Sequence, residues 1–163
     1  MLSIMVVSFA EPSSPLSRRA RADNGALDVR HSGGADIGSA ARARVLVADD
    51  SAPMLAVLHD LVCATSQLEV AGAAESGERA VELARTLRPD MVVIDLWMPG
   101  LGGLEAVKQI KASRPSTLVV LVSTTHPDDL TPEALASADA VIWKSELAPE
   151  LLDELWLVHP DKD

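Results

Sequence analysis

The sequence predicts an α/β fold: a five-stranded parallel sheet with helices on both faces. Three observations carry this. Apolar runs of four or five residues alternate five times with stretches whose apolar residues recur at helical spacing. Four of the five runs are apolar at consecutive positions, the pattern of strands covered on both sides. Four of the five runs end on a polar or charged group, and parallel strands bring such ends to one edge of a sheet.

The first run, Val45-Leu46-Val47-Ala48, ends in Asp49-Asp50. Pro53 suits the first turn of a helix, and Met54, Leu55, Leu58, Leu61 and Val62 follow at helical spacing. Leu68–Gly72 reads as a second strand. Ser76 can cap a second helix with Ala80, Leu83, Ala84 and Leu87 on its apolar face, ended by Arg88-Pro89. The third run, Met91-Val92-Val93-Ile94, leads straight into Asp95 and is closed by Met98-Pro99-Gly100. Leu104, Val107 and Ile110 mark a third helix, stopped by Pro115. Leu118–Val122 is a fourth strand ending in Ser123. Thr131-Pro132-Glu133 starts a fourth helix of about two turns. Ala140–Trp143 is the fifth strand, ending at Lys144. Pro149 opens a last helix with Leu151, Leu152, Leu155 and Val158 on its apolar side. Every strand-to-strand crossover is expected to be right-handed.

Composition narrows the function. The chain has 163 residues, room for one domain with a tail. Aromatic residues are scarce, so aliphatic packing carries the core. The formal charge of −10 is uneven: residues 1–44 carry six arginines against four acids, and the remainder is strongly acidic. An acidic body argues against nucleic-acid binding by this chain. The lone Cys63 excludes an intramolecular disulfide and a cysteine metal cage. Its place in an amphipathic pattern predicts a small core hydrophobe. Residues 1–10 are apolar but too short to span a bilayer and lack a basic leader. A cytoplasmic protein with no membrane association is expected. Residues 1–43, with Pro, Ser, Gly and a basic cluster at Arg18, Arg19 and Arg21, read as a disordered extension. The folded domain is then 44–158, and 159–163 is a tail.

The sheet edge gathers Asp49, Asp50, Asp95, Ser123 and Lys144. Three carboxylates in one partly buried cleft repel, and a divalent ion relieves this. Magnesium takes octahedral oxygen ligands and keeps several waters. There is no His/Cys cluster for zinc, no glycine-rich phosphate loop and no Ser-His-Asp pattern. A carboxylate nucleophile, a metal, a cation and a hydroxyl remain, the parts for forming an acyl phosphate on an aspartate.

With Asp49-Asp50, Asp95, Met98-Pro99-Gly100 and Gly103, Ser123 and Lys144 in this order, the chain resembles the receiver domain of two-component response regulators over roughly residues 44–158. The intervals from Asp95 to Ser123 and Lys144 are similar to those of regulators that carry a helix-turn-helix output domain. The resemblance implies a flavodoxin-like sheet of order 2-1-3-4-5, a non-enzymatic signalling module and Mg²⁺ as cofactor. It implies Asp95 as phospho-acceptor, supplied by a histidine kinase or phosphotransfer protein. It implies direct metal binding by Asp50, help from Asp49 through water, and the backbone carbonyl of Trp97 as a further ligand. Lys144 would pair with Asp95 and then with a phosphoryl oxygen, and Ser123 would donate to the phosphoryl group. Output would pass to a partner protein, or to a second copy, through the face of the fourth helix, fifth strand and fifth helix.

Three residues depart from that family's pattern. Val141 stands where the family usually has the Tyr or Phe that turns inward on activation. Thr124 replaces a small residue after Ser123, and Ser145 replaces the Pro that often follows the lysine. Trp143 shares the face of Val141 and reads as a surface contact rather than a substitute switch. Thr124, Val141 and Trp143 therefore mark the switch region. The competing expectations are an adaptor that has kept the fold and lost the switch, and an aspartate-nucleophile phosphatase. The phosphatase is disfavoured by Trp97, which occupies the place of such an enzyme's second aspartate.

Overall fold

The computed structural model describes residues 41–159. The extension up to residue 40, and residues 160–163 of the tail, lie outside the described residues. Five strands, β1 (Ala43–Ala48), β2 (Leu68–Ala74), β3 (Met91–Asp95), β4 (Leu118–Ser123) and β5 (Ala140–Trp143), form one parallel sheet of order β2-β1-β3-β4-β5. Helices α1 (Ala52–Cys63), α2 (Gly77–Leu87), α3 (Gly102–Ser113), α4 (Pro132–Ser137) and α5 (Pro149–Val158) fill the crossovers and the C-terminal end. The predicted fold class and element order are those observed. β1 starts at Ala43, two residues before the apolar run Val45–Ala48 that marks it.

Strand alternation divides the core in two. Val45, Val47, Met91, Val93, Val120, Val122 and Ile142 face Leu58 and Val62 of α1 and Leu151, Leu152 and Leu155 of α5. Leu46, Ala48, Val92, Ile94, Val119, Leu121 and Val141 face α2 and α3 through Ala80, Val81, Ala106, Val107 and Ile110. β1, β3 and β4 are thus buried on both faces, which is why they read as uninterrupted apolar runs.

Helix ends follow local chemistry. Ser51, Ser76 and Thr131 accept hydrogen bonds from backbone N–H groups of the first turns of α1, α2 and α4. Arg88 ends α2 in the left-handed region at φ 48°. α4 has six residues, preceded by a 3₁₀ turn at Pro127–Asp129.

The structure corrects three expectations. Cys63 is exposed, because it lies at the last position of α1, beyond the stripe that holds Leu58 and Val62. Val158, the last residue of α5, is also exposed. His159, assigned by sequence to the tail, is buried, with Nε2 3.0 Å from the Ser116 carbonyl oxygen.

Candidate functional site

Asp95 closes β3, Asp49 and Asp50 follow β1, and Lys144 follows β5, all at the carboxyl edge of the sheet. One carboxylate oxygen from each of Asp49, Asp50 and Asp95 lies within 4.8 Å of the other two. Asp49 and Asp95 are buried and Asp50 is exposed. Lys144 Nζ is 2.9 Å from Asp49 Oδ2 and 3.4 Å from Asp95 Oδ1. The lysine therefore bonds more closely to Asp49 than to Asp95, the partner named from the sequence.

The two buried aspartates are satisfied unequally. Asp49 accepts from the Ser51 N–H at 2.9 Å through Oδ1 and from Lys144 through Oδ2. Asp95 Oδ1 is buried without a hydrogen-bond partner. Its nearest partner is the Lys144 ammonium at 3.4 Å, and a buried ionised oxygen without a well-formed hydrogen bond is costly. Burial, the largest cause, pushes the Asp95 carboxyl above its ordinary pKa. The charge of Lys144 and the Trp97 backbone N–H oppose this, and the charge of Asp49 adds to it. For Lys144 burial is again the largest influence and lowers the pKa. The hydrogen bond to Asp49 and the charges of Asp95 and Asp49 outweigh it, so the ammonium titrates above its ordinary value.

This arrangement fits a small hard cation. Octahedral magnesium with bonds of about 2.1 Å places its oxygen ligands about 2.9 to 4.2 Å apart. Three convergent carboxylate oxygens within 4.8 Å of one another match that demand after a small contraction. Asp49, Asp50 and Asp95 are the side chains that would hold the ion.

Because Asp95 binds its proton more tightly folded than unfolded, its contribution to stability is complete below the unfolded pKa. That contribution is lost as pH rises through the folded pKa. Asp95→Asn is therefore expected to raise stability at neutral pH without divalent ions, by about 0.5–2 kcal/mol. Thermal melts at falling pH should show the gain shrinking as Asp95 of the parent chain takes up its proton.

Ser123, at the end of β4, is fully buried, and its hydroxyl accepts from the Thr125 N–H at 2.9 Å. A hydroxyl accepting one bond still has a proton to donate. The sequence reading did not single out Thr125, although a serine followed two residues later by a backbone N–H in a loop is a recognisable turn signal. The Thr125 hydroxyl in turn accepts from Trp97 Nε1–H at 3.3 Å.

The expected switch residues are dispersed. Val141 is wholly buried between the sheet and the α2/α3 layer. Thr124 is exposed, and its carbonyl accepts from Trp143 Nε1–H at 3.1 Å. The Trp143 ring meets His126 edge-on at 5.0 Å. Trp143 thus packs on the β4–α4 loop, as a surface contact would. A separate cavity of about 570 Å³ opens between α3 and α4, lined by Trp97, Leu101, Leu104, Leu130 and Ala134 among others. None of Asp49, Asp50 and Lys144 lines it.

The family model described as "Response regulator receiver domain" matches residues 45–155. A protein-glutamate methylesterase/protein-glutamine glutaminase of Thermotoga maritima is 38% identical over 123 residues, 69% of this chain and 36% of its own length. The response regulator GacA of Pseudomonas viridiflava is 35% identical over 116 residues, 71% of this chain and 54% of its own. The crystal structure of the response regulator domain of Thermotoga maritima CheB superposes with a TM-score of 0.65 at 37% identity. That match covers 73% of this chain and 97% of the solved domain. The chain spans about a third of the length of the first curated relatives it matches.

Proposed function

The chain belongs to the response regulator receiver domains of two-component signalling, and from that premise we propose that Asp95 is its phospho-acceptor. The observation that carries the proposal is the buried Asp95 carboxylate, set beside two further carboxylates, whose Oδ1 has only the Lys144 ammonium, at 3.4 Å, as an ion-pair partner and no hydrogen bond of good geometry. The ionised carboxylate attacks the phosphorus of a phosphohistidine. An O–P bond forms, the P–N bond breaks, and its electron pair stays on the imidazole nitrogen. Lys144 stabilises negative charge on the transferring group, and Ser123 donates its free hydroxyl proton to a phosphoryl oxygen. Bound Mg²⁺ would neutralise the phosphoryl oxygens and let Asp95 stay ionised. Asp50, the exposed carboxylate, would hold it directly together with Asp95 and the Trp97 carbonyl, and Asp49, already held by Lys144, would help through water.

A histidine kinase or phosphotransfer protein is the donor, and the face of α4, β5 and α5 carries output to a partner protein or second copy. The methylesterase and glutaminase activities named for the relatives are theirs, and the solved domain covered at 97% is the response regulator domain. No described helix is long and apolar enough to cross a membrane, which supports action in the cytoplasm.

Val141 favours a second reading, an adaptor with an impaired switch, since a wholly buried valine offers no aromatic ring to turn inward. One experiment separates the two. Acetyl phosphate with Mg²⁺ is expected to add one acid-labile phosphoryl group, read by intact-protein mass, and Asp95→Ala should abolish it. Beryllofluoride with Mg²⁺ should raise the melting temperature by mass action. If no adduct forms and neither Mg²⁺ nor beryllofluoride shifts the melt, the adaptor reading stands.

A further inference from the structure

We propose that the chain's own apolar segment, residues 1–10, docks in the cavity between α3 and α4. That cavity, of about 570 Å³, has apolar walls from Trp97, Leu101, Leu104, Leu130 and Ala134. Its volume falls within the range of about 300–1,000 Å³ that takes up a compact apolar ligand. Trp97 is 59% exposed, although its indole forms one wall and is fixed by the Nε1–H bond to Thr125. Covering so large an aromatic surface, already held in place, is favourable. The rim is acidic. Glu105, Asp129 and Glu133 line it against one cation, Lys108, which is paired with Glu133. An occupant that suits walls and rim together is an apolar stretch joined to positive charge.

One region of the sequence has that character. Residues 1–10 include Leu2, Ile4, Met5, Val6, Val7 and Phe9 and carry no charged side chain. Arg18, Arg19 and Arg21 follow, and no acid stands between Glu11 and Asp23 to offset them. Thirty residues separate the segment from Ala41, the first described residue. At about 3.4 Å each they extend to ~100 Å, whereas a domain of this size has a radius of gyration of about 14 Å. β1 starts at one edge of the sheet and Trp97 follows β3 at the other, so the segment must pass the length of the sheet, which this reach allows. Tethering sets an effective concentration on the order of millimolar. A contact too weak to hold a separate peptide therefore still fills the cavity. A second copy of the domain is the poorer occupant, because its acidic body brings like charge to an acidic rim. Docking of this kind needs no phosphoryl group on Asp95.

Paramagnetic broadening in the full chain tests this. A nitroxide is attached at Ser8→Cys in a Cys63→Ser background, and methyl signals are compared before and after the nitroxide is reduced. The expected result is selective broadening at Leu101, Leu104, Leu130 and Ala134, which line the cavity. The methyls of α1 and α5, packed on the other face of the sheet, should stay sharp, and their positions report that each variant is folded. Ile4→Asp with Phe9→Asp should abolish the broadening. Arg18→Glu, Arg19→Glu and Arg21→Glu together should cut it several-fold at low salt, where charge is least screened. A nitroxide-bearing chain mixed with an isotope-labelled chain that carries none should give no broadening, since the contact lies within one chain. Three outcomes each overturn the proposal: no broadening at the cavity, broadening unchanged by either set of substitutions, or broadening only in the mixed sample, which would make a second copy the occupant.

Discussion

Gly103→Ala is expected to lose about 3–5 kcal/mol, enough to unfold much of the population at moderate temperature. α3 begins with its backbone pressed against the end of β3, and the Gly103 N–H donates to the Leu96 carbonyl at 3.1 Å. A methyl group at residue 103 would overlap the Asp95 carbonyl oxygen and stand 2.8 Å from Leu96 Cα. Both are backbone atoms of a strand end buried on all sides, so neither can rotate away. If the fold survives, α3 must be displaced from β3, and the backbone that aims the Asp95 carboxylate moves with it. Urea unfolding measures the loss, and a change below about 1 kcal/mol would mean that the helix start is free to shift. Gly100→Ala tests a different constraint. Its φ of +75° is costly for any other residue, and its obstructing neighbour is the Glu78 side chain, which can move.

Lys144→Met should be the second most damaging change, through charge rather than shape. The substitution leaves Asp49 buried without its cation while Asp95 and Asp50 remain beside it. A loss of about 2 kcal/mol is expected, less than the 3–5 kcal/mol of a fully buried broken pair, because the lysine side chain is 19% exposed. The variant should recover stability on acidification, which neutralises the stranded carboxylates, and on adding Mg²⁺, which replaces the missing positive charge. In the parent chain the raised Lys144 pKa implies a contribution complete below the lysine's unfolded pKa and lost as pH rises through the folded one. Paired thermal melts of parent and variant across the alkaline range should therefore converge.

The parallel sheet was legible because burial on two faces leaves a plain mark, consecutive valines, leucines and isoleucines in β1, β3 and β4, whereas its strand order came only with the resemblance to the receiver family. The site was legible for a related reason. A parallel sheet carries the end of every strand to one edge, so Asp49, Asp95 and Lys144, distant along the chain, could be placed together from their positions alone. Pairing within the site was not legible. Whether Lys144 leans toward Asp49 or Asp95 depends on fractions of an ångström, and the structure favours Asp49. Nor does sequence tell a working carboxylate from a structural one. Asp90 and Asp139, at the opposite edge, accept the Arg44 and Val119 N–H groups at 2.8 Å and so pin strand starts. Helix margins were hardest to read: Cys63 and Val158, the last residues of α1 and α5, are exposed although Val62 and Leu155 shortly before them are buried.

The two indoles that bond to the β4–α4 loop give the chain an optical property. It contains three tryptophans and no tyrosine. Trp97 donates to Thr125, and Trp143 donates to the neighbouring Thr124 carbonyl. Thr125 is also the residue whose N–H is held by Ser123, the hydroxyl proposed to bond a phosphoryl group on Asp95. Two of the three emitters are thus fastened to the short segment that Ser123 would tug. Tryptophan emission is therefore expected to change when Mg²⁺ and beryllofluoride are added, which would give an unlabelled gauge of the site at Asp95.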